Sequence, residues 1–313
     1  MNKKAAFLFP GQGSQVVGMG RDLYEEFDYV REIFDMADDL TKRHVSKLCF
    51  DGPMEDLTLT VNLQPAVTAV NLACWAVLDK EGCQPSLTAG HSLGEYSALA
   101  CSKTIDPAGT LRLVRERGEL MHREATKHEG AMHAVLGLDI ETVAGIVADA
   151  ASEGVVAVAN HNAEKQIVIT GSPHAVEQAS KVAAEQGAKA IPLKVSGAWH
   201  SELIRGAEED FRAALNQVTF TSPKTPVVFN VTADFESDPE KIKEIMASQL
   251  CNPVKWYDSV RKMCDEQIEV FAEVGPKKVL TGLLRKIVPD SYDHKTYNVD
   301  SLKGIEAFLK AVS

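Results

Sequence analysis

Apolar residues along the chain fall into short continuous runs of strand length, separated by longer stretches with helical spacing. The order of these elements changes twice. Lys4 to Phe9 is a nearly unbroken apolar run closed by the glycine-rich loop Pro10-Gly11-Gln12-Gly13-Ser14, which predicts a buried strand and a tight turn. Helical segments fill most of the way to residue 92, with a short, weak strand at Pro85 to Ala89 and a helix over Glu95 to Cys101. Asp106-Pro107 is a helix start, a capping residue followed by proline in the first turn, and the spacing carries that helix to about Ala125.

Between Ala131 and Val195 the order becomes strand (132–137), helix (140–152), strand (155–160), strand (166–170), helix (173–186), strand (188–195). This βαββαβ succession is the ferredoxin-like arrangement, short enough to be an inserted subdomain. After His200 alternation resumes, with buried strands expected at Pro226–Val231 and Val270–Val274 and helices between and after them. A cleft between the two parts is the natural place for a site.

Composition narrows the function classes. The 313 residues are 45% hydrophobic and 25% charged, as in ordinary globular proteins. The formal charge of −11, from 33 basic and 44 acidic side chains, argues against nonspecific grip on nucleic acid or anionic membranes. The apolar run after Lys3 and Lys4 stops at Pro10, too short for a signal-peptide core. The longest apolar stretch, Pro65 to Leu78, is too short to span a bilayer and reads as a buried helix. Cysteines 49, 74, 83, 101, 251 and 264 show no CxxC or Cys/His ligand spacing. Reduced thiols in a cytoplasmic protein, and no metal site, are therefore expected.

Candidate chemistry centres on Gly90-His91-Ser92-Leu93-Gly94, a frame that exposes a serine hydroxyl on a sharp strand-to-helix turn. A plain glycine-rich turn would share that pattern. A serine needs a base, and among nine histidines His200 stands out, in the loop Ser196 to Ser201 where the insert ends. His91 neighbours Ser92 on a tight turn, where adjacent side chains point apart, and reads as structural. Gly11-Gln12-Gly13 is neither a Walker loop nor a dinucleotide fingerprint, since Val16 occupies the third glycine position. It can offer backbone N–H groups that, with the Leu93 N–H, would stabilise an oxyanion. Arg117 shares an i, i+4 row with Leu113 and Met121 and so faces the core. Either an internal acid or a ligand carboxylate would partner it.

The ordered motifs FLFPGQGSQ, GHSLGEYSAL, RGELM, VANHNAEKQIVITG, SGAWHS, QLCNPVKW and EVGPKKVLTGL, from Phe7 to about Leu284, resemble the malonyl-CoA:acyl carrier protein transacylases of fatty acid synthesis. The resemblance implies an α/β fold: an α/β-hydrolase-like catalytic domain with a parallel sheet over 1–127 and 198–313, and a ferredoxin-like subdomain over 128–197. It implies Ser92 as nucleophile, His200 as base, and the main-chain carbonyl of Gln249 orienting the histidine. Gln12 and Leu93 would form the oxyanion hole, Arg117 would bind the malonyl carboxylate, and Met121, Asn160 and Trp199 would shape the pocket. No cofactor would be permanently bound; malonyl-CoA is substrate, CoA product, and holo acyl carrier protein the partner, with no nucleic acid or membrane. Trp199 stands where phenylalanine is more usual, which disfavours an α-methyl branch and keeps malonyl over methylmalonyl. The usual Gly-Pro-Gly is Gly275-Pro276-Lys277 here, a change of local loop geometry.

Carrier proteins of this pathway are acidic, as this chain is, so docking calls for a local basic patch. Lys277, Lys278, Arg285 and Lys286 are the candidate. Three other functions share parts of the pattern. They are a serine thioesterase or hydrolase, a related acyltransferase of polyketide synthesis or malonate decarboxylation, and a non-enzymatic carrier-binding module.

Overall fold

Nine strands, numbered in chain order, form two sheets among the described residues, 3–312, of the computed structural model. Residues 1, 2 and 313, at the ends of the larger expected segment, lie outside them. The central sheet has the order β7-β2-β1-β8-β9, from Val227–Val228, Leu87–Gly90, Ala5–Phe9, Val270–Val274 and Lys295–Val299. Every pairing in it is parallel. All of β1 is buried, as a central strand covered on both faces must be. Ala5, Phe7 and Phe9 face one core with the Thr60–Lys80 helix, while Ala6 and Leu8 face a second with Trp256, Phe271 and Leu284.

The second sheet is antiparallel, in the order β4-β5-β3-β6, from Val156–Ala163, Gln166–Gly171, Ala131–Leu136 and Lys189–Pro192. One face packs on the helices Ile140–Ala150 and Pro173–Glu185 through Val135, Ile146, Ile169 and Val176. From the other face Met132, Ala159 and Val168 join the core of the larger part. The fold is thus α/β, a parallel sheet with helices joined to a small ferredoxin-like unit. Two irregularities in β4, between Val158 and Asn160 and between His161 and Ala163, let it also bridge Val254. The Val254 N–H donates to Ala159 O at 2.8 Å and the His161 N–H to Val254 O at 2.9 Å, so backbone hydrogen bonds tie the two units beside the cleft.

The structure departs from expectation in four elements. The strand expected at 226–231 is only Val227–Val228: the chain turns back at Phe229, whose N–H donates to Asp234 O, and this frees Asn230 for other partners. The strand expected at 188–195 ends at Pro192, and that expected at 155–160 runs on to Ala163. After Val274 there is also a strand, β9, not helices alone; it is a partly exposed edge whose Lys-Thr-Tyr-Asn-Val pattern carries little apolar signal. The Pro65–Leu78 run lies within the 21-residue Thr60–Lys80 helix. By length and composition that helix could cross a membrane, yet 83% of its most apolar window is buried inside the protein.

The turn from β2 into the Gly94–Cys101 helix presses against the end of β1. A Cβ on Gly94 would overlap the carbonyl oxygen of Phe9, which is backbone and cannot yield. Gly145, inside the Ile140–Ala150 helix, has open space around it. Gly94→Ala is therefore expected to lower the thermal midpoint by several degrees, and Gly145→Ala to raise stability by about 0.5–1 kcal/mol, both read by thermal and denaturant melts.

Candidate active site

Ser92 sits on the turn between β2 and the Gly94–Cys101 helix with φ of 50°, a left-handed backbone that a serine adopts only when its surroundings enforce it. The Gly94 and Glu95 N–H groups close the turn onto His91 O (2.9 Å) and Ser92 O (3.1 Å). Asn230 clamps it from the side: its Oδ1 accepts the Ser92 N–H at 2.6 Å and its Nδ2 donates to Gly90 O at 2.7 Å.

His200, also left-handed at φ 60°, brings Nε2 to 2.9 Å from Ser92 Oγ. Its Nδ1 faces the carbonyl oxygens of Gln249 (2.9 Å) and Asn252 (3.1 Å). Carbonyls only accept, so Nδ1 carries the proton and Nε2 presents its lone pair to the serine hydroxyl. Burial, then the Arg117 charge, push the imidazole pKa down to about 3, which keeps it neutral.

Arg117, on the Pro107–Lys127 helix and 2% exposed, meets no carboxylate in its hydrogen bonds. Nη1 donates to Gln64 Oε1 at 3.1 Å, and Nη2 to Ser92 Oγ at 3.1 Å and Gln249 Oε1 at 3.2 Å, with the Tyr96 ring 5.6 Å from its guanidinium carbon. Of the two partners open to it from sequence, an internal acid is not in hydrogen-bonding contact among the described residues. Two neutral amide oxygens hold the cation beside the serine, leaving its charge available to an anion.

Gln12, Ser92, Leu93, Arg117, Met121, Asn160, Trp199 and His200 all line one cavity of about 110 Å³, with Met132, Leu193 and Val195 contributed from the smaller unit. Gln249 lies fully buried behind it. A Cβ on Gly11 would overlap His91 O, so only glycine lets the Gln12 loop pack this close to the serine turn. His91 lines the cavity too, but its Nε2 pairs with Asn162 Oδ1 at 2.7 Å and its ring meets Trp256 edge-on. A larger cavity of about 590 Å³, by Trp75, Lys103 and Arg112, holds no nucleophile beside a base, and its Lys103 is already paired with Asp79 at 2.9 Å. Among the described residues no cluster of His, Cys, Asp and Glu is placed to hold a metal.

Sequence reasoning missed Gln64, Asn230 and Glu95. Glu95 is fully buried under the turn, where its Oε1 accepts the Asn230 N–H at 2.6 Å and its Oε2 accepts from Gln249 Nε2. Burial pushes its carboxyl up, and those two donors and the Arg117 charge oppose it. Each oxygen faces an N–H, which leaves a carboxyl proton no acceptor and favours the ionised form. Its place within GHSLGEYSAL is the only signal the sequence offered.

A family model described as acyl transferase domain matches residues 6–302. The chain is 43% identical over 286 residues to the malonyl CoA-acyl carrier protein transacylase of Bacillus subtilis (strain 168), covering 91% of this chain and 90% of that one. It is 39% identical to the protein of that name from Haemophilus influenzae, covering 98% and 99%. In structure it resembles an acyl carrier protein S-malonyltransferase from Vibrio cholerae, with a TM-score of 0.93 at 41% identity, covering 97% and 99%. It also resembles a malonyl-transacylase solved in complex with a type II PKS acyl-carrier protein, with a TM-score of 0.94 at 37% identity, covering 98% and 99%.

An imidazole held neutral so far below the usual histidine range predicts the pH dependence expected of His200 as base. The rate of CoA release per free enzyme, kcat/KM, is expected to stay flat as pH falls from 7.5 to 5.5 in a stopped-flow thiol assay. An unperturbed histidine would leave only about a tenth of the enzyme in its basic form at the lower pH. A limb centred near 6.5 would contradict the burial-driven depression of His200.

Proposed function

The chain belongs to the acyl transferase family, among the malonyl-CoA:acyl carrier protein transacylases, and on that footing we propose that Ser92 carries the malonyl group between its two thiols. The activity is transfer of malonyl from malonyl-CoA to acyl carrier protein. His200 Nε2 takes the Ser92 proton as Oγ attacks the thioester carbonyl. The Gln12 and Leu93 N–H groups receive the developing oxyanion. Collapse of the tetrahedral intermediate expels the CoA thiolate, which takes the proton from the imidazolium. The carrier's phosphopantetheine thiol then gives its proton to His200 and attacks the malonyl-serine, and the collapse returns the proton to Ser92 Oγ.

The observation that carries this reading is a buried Arg117 held by neutral amides 3.1 Å from the nucleophile. A free carboxylate on the acyl group matches that charge, whereas a generic hydrolase has no need of it. Met121, Asn160 and Trp199 bound the space left for the acyl group, and Trp199 crowds an α-methyl branch. His200 is oriented by two carbonyls rather than an acid, Asn252 joining Gln249 in that task. No resident cofactor is called for, because both half-reactions exchange one acyl ester or thioester for another. Six buried, unpaired thiols fit a reducing compartment, and we place the chain in the cytoplasm, in fatty acid synthesis. The likeness to a transacylase solved with a type II PKS acyl-carrier protein supports a second reading in which the carrier belongs to polyketide synthesis.

Intact mass after mixing with malonyl-CoA tests the intermediate. A malonyl adduct is expected that needs Ser92, persists in buffer and clears when holo carrier is added; CoA release without a lasting adduct would make the chain a hydrolase. Arg117→Ala is expected to slow malonyl labelling about tenfold to a hundredfold, the ~1.5–3 kcal/mol of a hydrogen bond to a charged group, while sparing acetyl labelling. Equal loss for both substrates would remove the carboxylate role.

Around the cleft, Lys277 Nζ reaches Gly13 O at 3.3 Å and Lys286 Nζ reaches Gln166 Oε1 at 2.8 Å, so the candidate basic patch borders both the oxyanion loop and the smaller unit. Reversing the charges of Lys278 and Arg285 is expected to raise KM for carrier protein in steady-state transfer and to leave KM for malonyl-CoA unchanged. Parallel changes in both constants would count against docking there.

A further inference from the structure

Gln249 touches the nucleophile, the base and the cation at once. Its backbone oxygen accepts from His200 Nδ1, its Oε1 accepts from Arg117 Nη2, and its Nε2 donates to Ser92 O at 3.0 Å and to Glu95 Oε2. The two ends of a glutamine amide are almost identical in shape and opposite in hydrogen bonding. Only the orientation with oxygen toward Arg117 suits the guanidinium, and something must select it. Ser92 O and Glu95 can only accept, so both demand the NH2 end. Glu95 is the stronger selector because it is charged and fully buried, and its second oxygen is already committed to the Asn230 N–H.

We propose that Glu95 is a specificity-positioning residue: its buried carboxylate locks the Gln249 amide so that an oxygen, not an NH2, holds Arg117 toward the acyl site. A carboxylate in direct contact would orient Arg117 equally well but would occupy its charge. Relaying the contact through a neutral amide keeps the cation aimed and unneutralised. Asn230 links the same carboxylate to the Ser92 N–H, so one anchor serves both the turn that carries the nucleophile and the group that selects its acyl load. This rests on the proposed role of Arg117 as the carboxylate binder.

The test compares malonyl-CoA with acetyl-CoA as acyl donors for the intact protein. Glu95→Gln is isosteric but offers one oxygen and one NH2, so in either orientation an NH2 opposes the donor of Gln249 or of Asn230. The malonyl kcat/KM is expected to fall at least tenfold further than the acetyl value, mainly through KM, because any loosening of the Ser92 turn slows both donors alike. The exchange Glu95→Gln with Gln249→Glu restores complementary pairing between the two side chains but sets a carboxylate on Arg117. It is expected to regain the thermal midpoint lost in Glu95→Gln without regaining malonyl preference. An equal fall for both donors in Glu95→Gln, an unchanged malonyl-to-acetyl ratio, or an exchange variant that prefers malonyl as the native protein does would each overturn the proposal. If Glu95→Gln alone does not fold, the donor ratio of the exchange variant decides. Arg117→Ala run alongside separates the two claims: an unaltered ratio there removes the Arg117 role itself, whereas a collapsed ratio there with an intact one in Glu95→Gln removes only the role of Glu95.

Discussion

A guanidinium withdrawn from water with no carboxylate in hydrogen-bonding contact is the constraint around which this site is built. Burying an unpaired charge costs several kcal/mol, and the structure offsets part of that with oriented dipoles. Two glutamine oxygens and the serine hydroxyl face Arg117, and the Tyr96 ring lies beneath it. Those groups arrive from the Thr60–Lys80 helix, the turn after β2, the Gly94–Cys101 helix and the end of the Pro239–Ser248 helix, so the cation's surroundings exist only where these distant parts of the chain pack together.

The same convergence supports the strained turn. Ser92 and His200 both hold left-handed backbones, and each is fixed by hydrogen bonds to segments far away in sequence. Asn230 holds the Ser92 amide because the chain leaves the central sheet after only two residues of β7. The shortness of that strand is therefore what brings the clamp to Ser92.

The alternation of apolar runs made the architecture legible, because a central parallel strand such as β1 must be apolar on both faces and the insert's βαββαβ order is written in short, separate periods. The edge strand β9 was not legible, since a partly exposed edge needs few apolar residues, and the 226–231 run is longer than its strand because burial alone does not say where pairing stops. Ser92 and His200 could be named because the order of motifs is specific. The partner of Arg117 could not: Gln64 and Gln249 lie 53 and 132 residues away from it, and neutral glutamines carry no charge pattern to search for. Glu95 was hidden by its ordinary place in the first turn of a helix, where an acid is expected for the dipole alone.

Electrostatics link the two halves of the site. After burial, the positive charge of Arg117 is the next largest cause holding His200 below its ordinary basicity. On the proposed role of Arg117, a donor whose acyl group carries a carboxylate would cancel that charge on binding, and the imidazole beside it would then accept the serine proton more readily. An acetyl donor brings no such charge and would meet the weaker base. On that reading acyl selection acts through the proton transfer itself as well as through the contact between carboxylate and guanidinium, because one buried cation faces Ser92 and, at short range, His200.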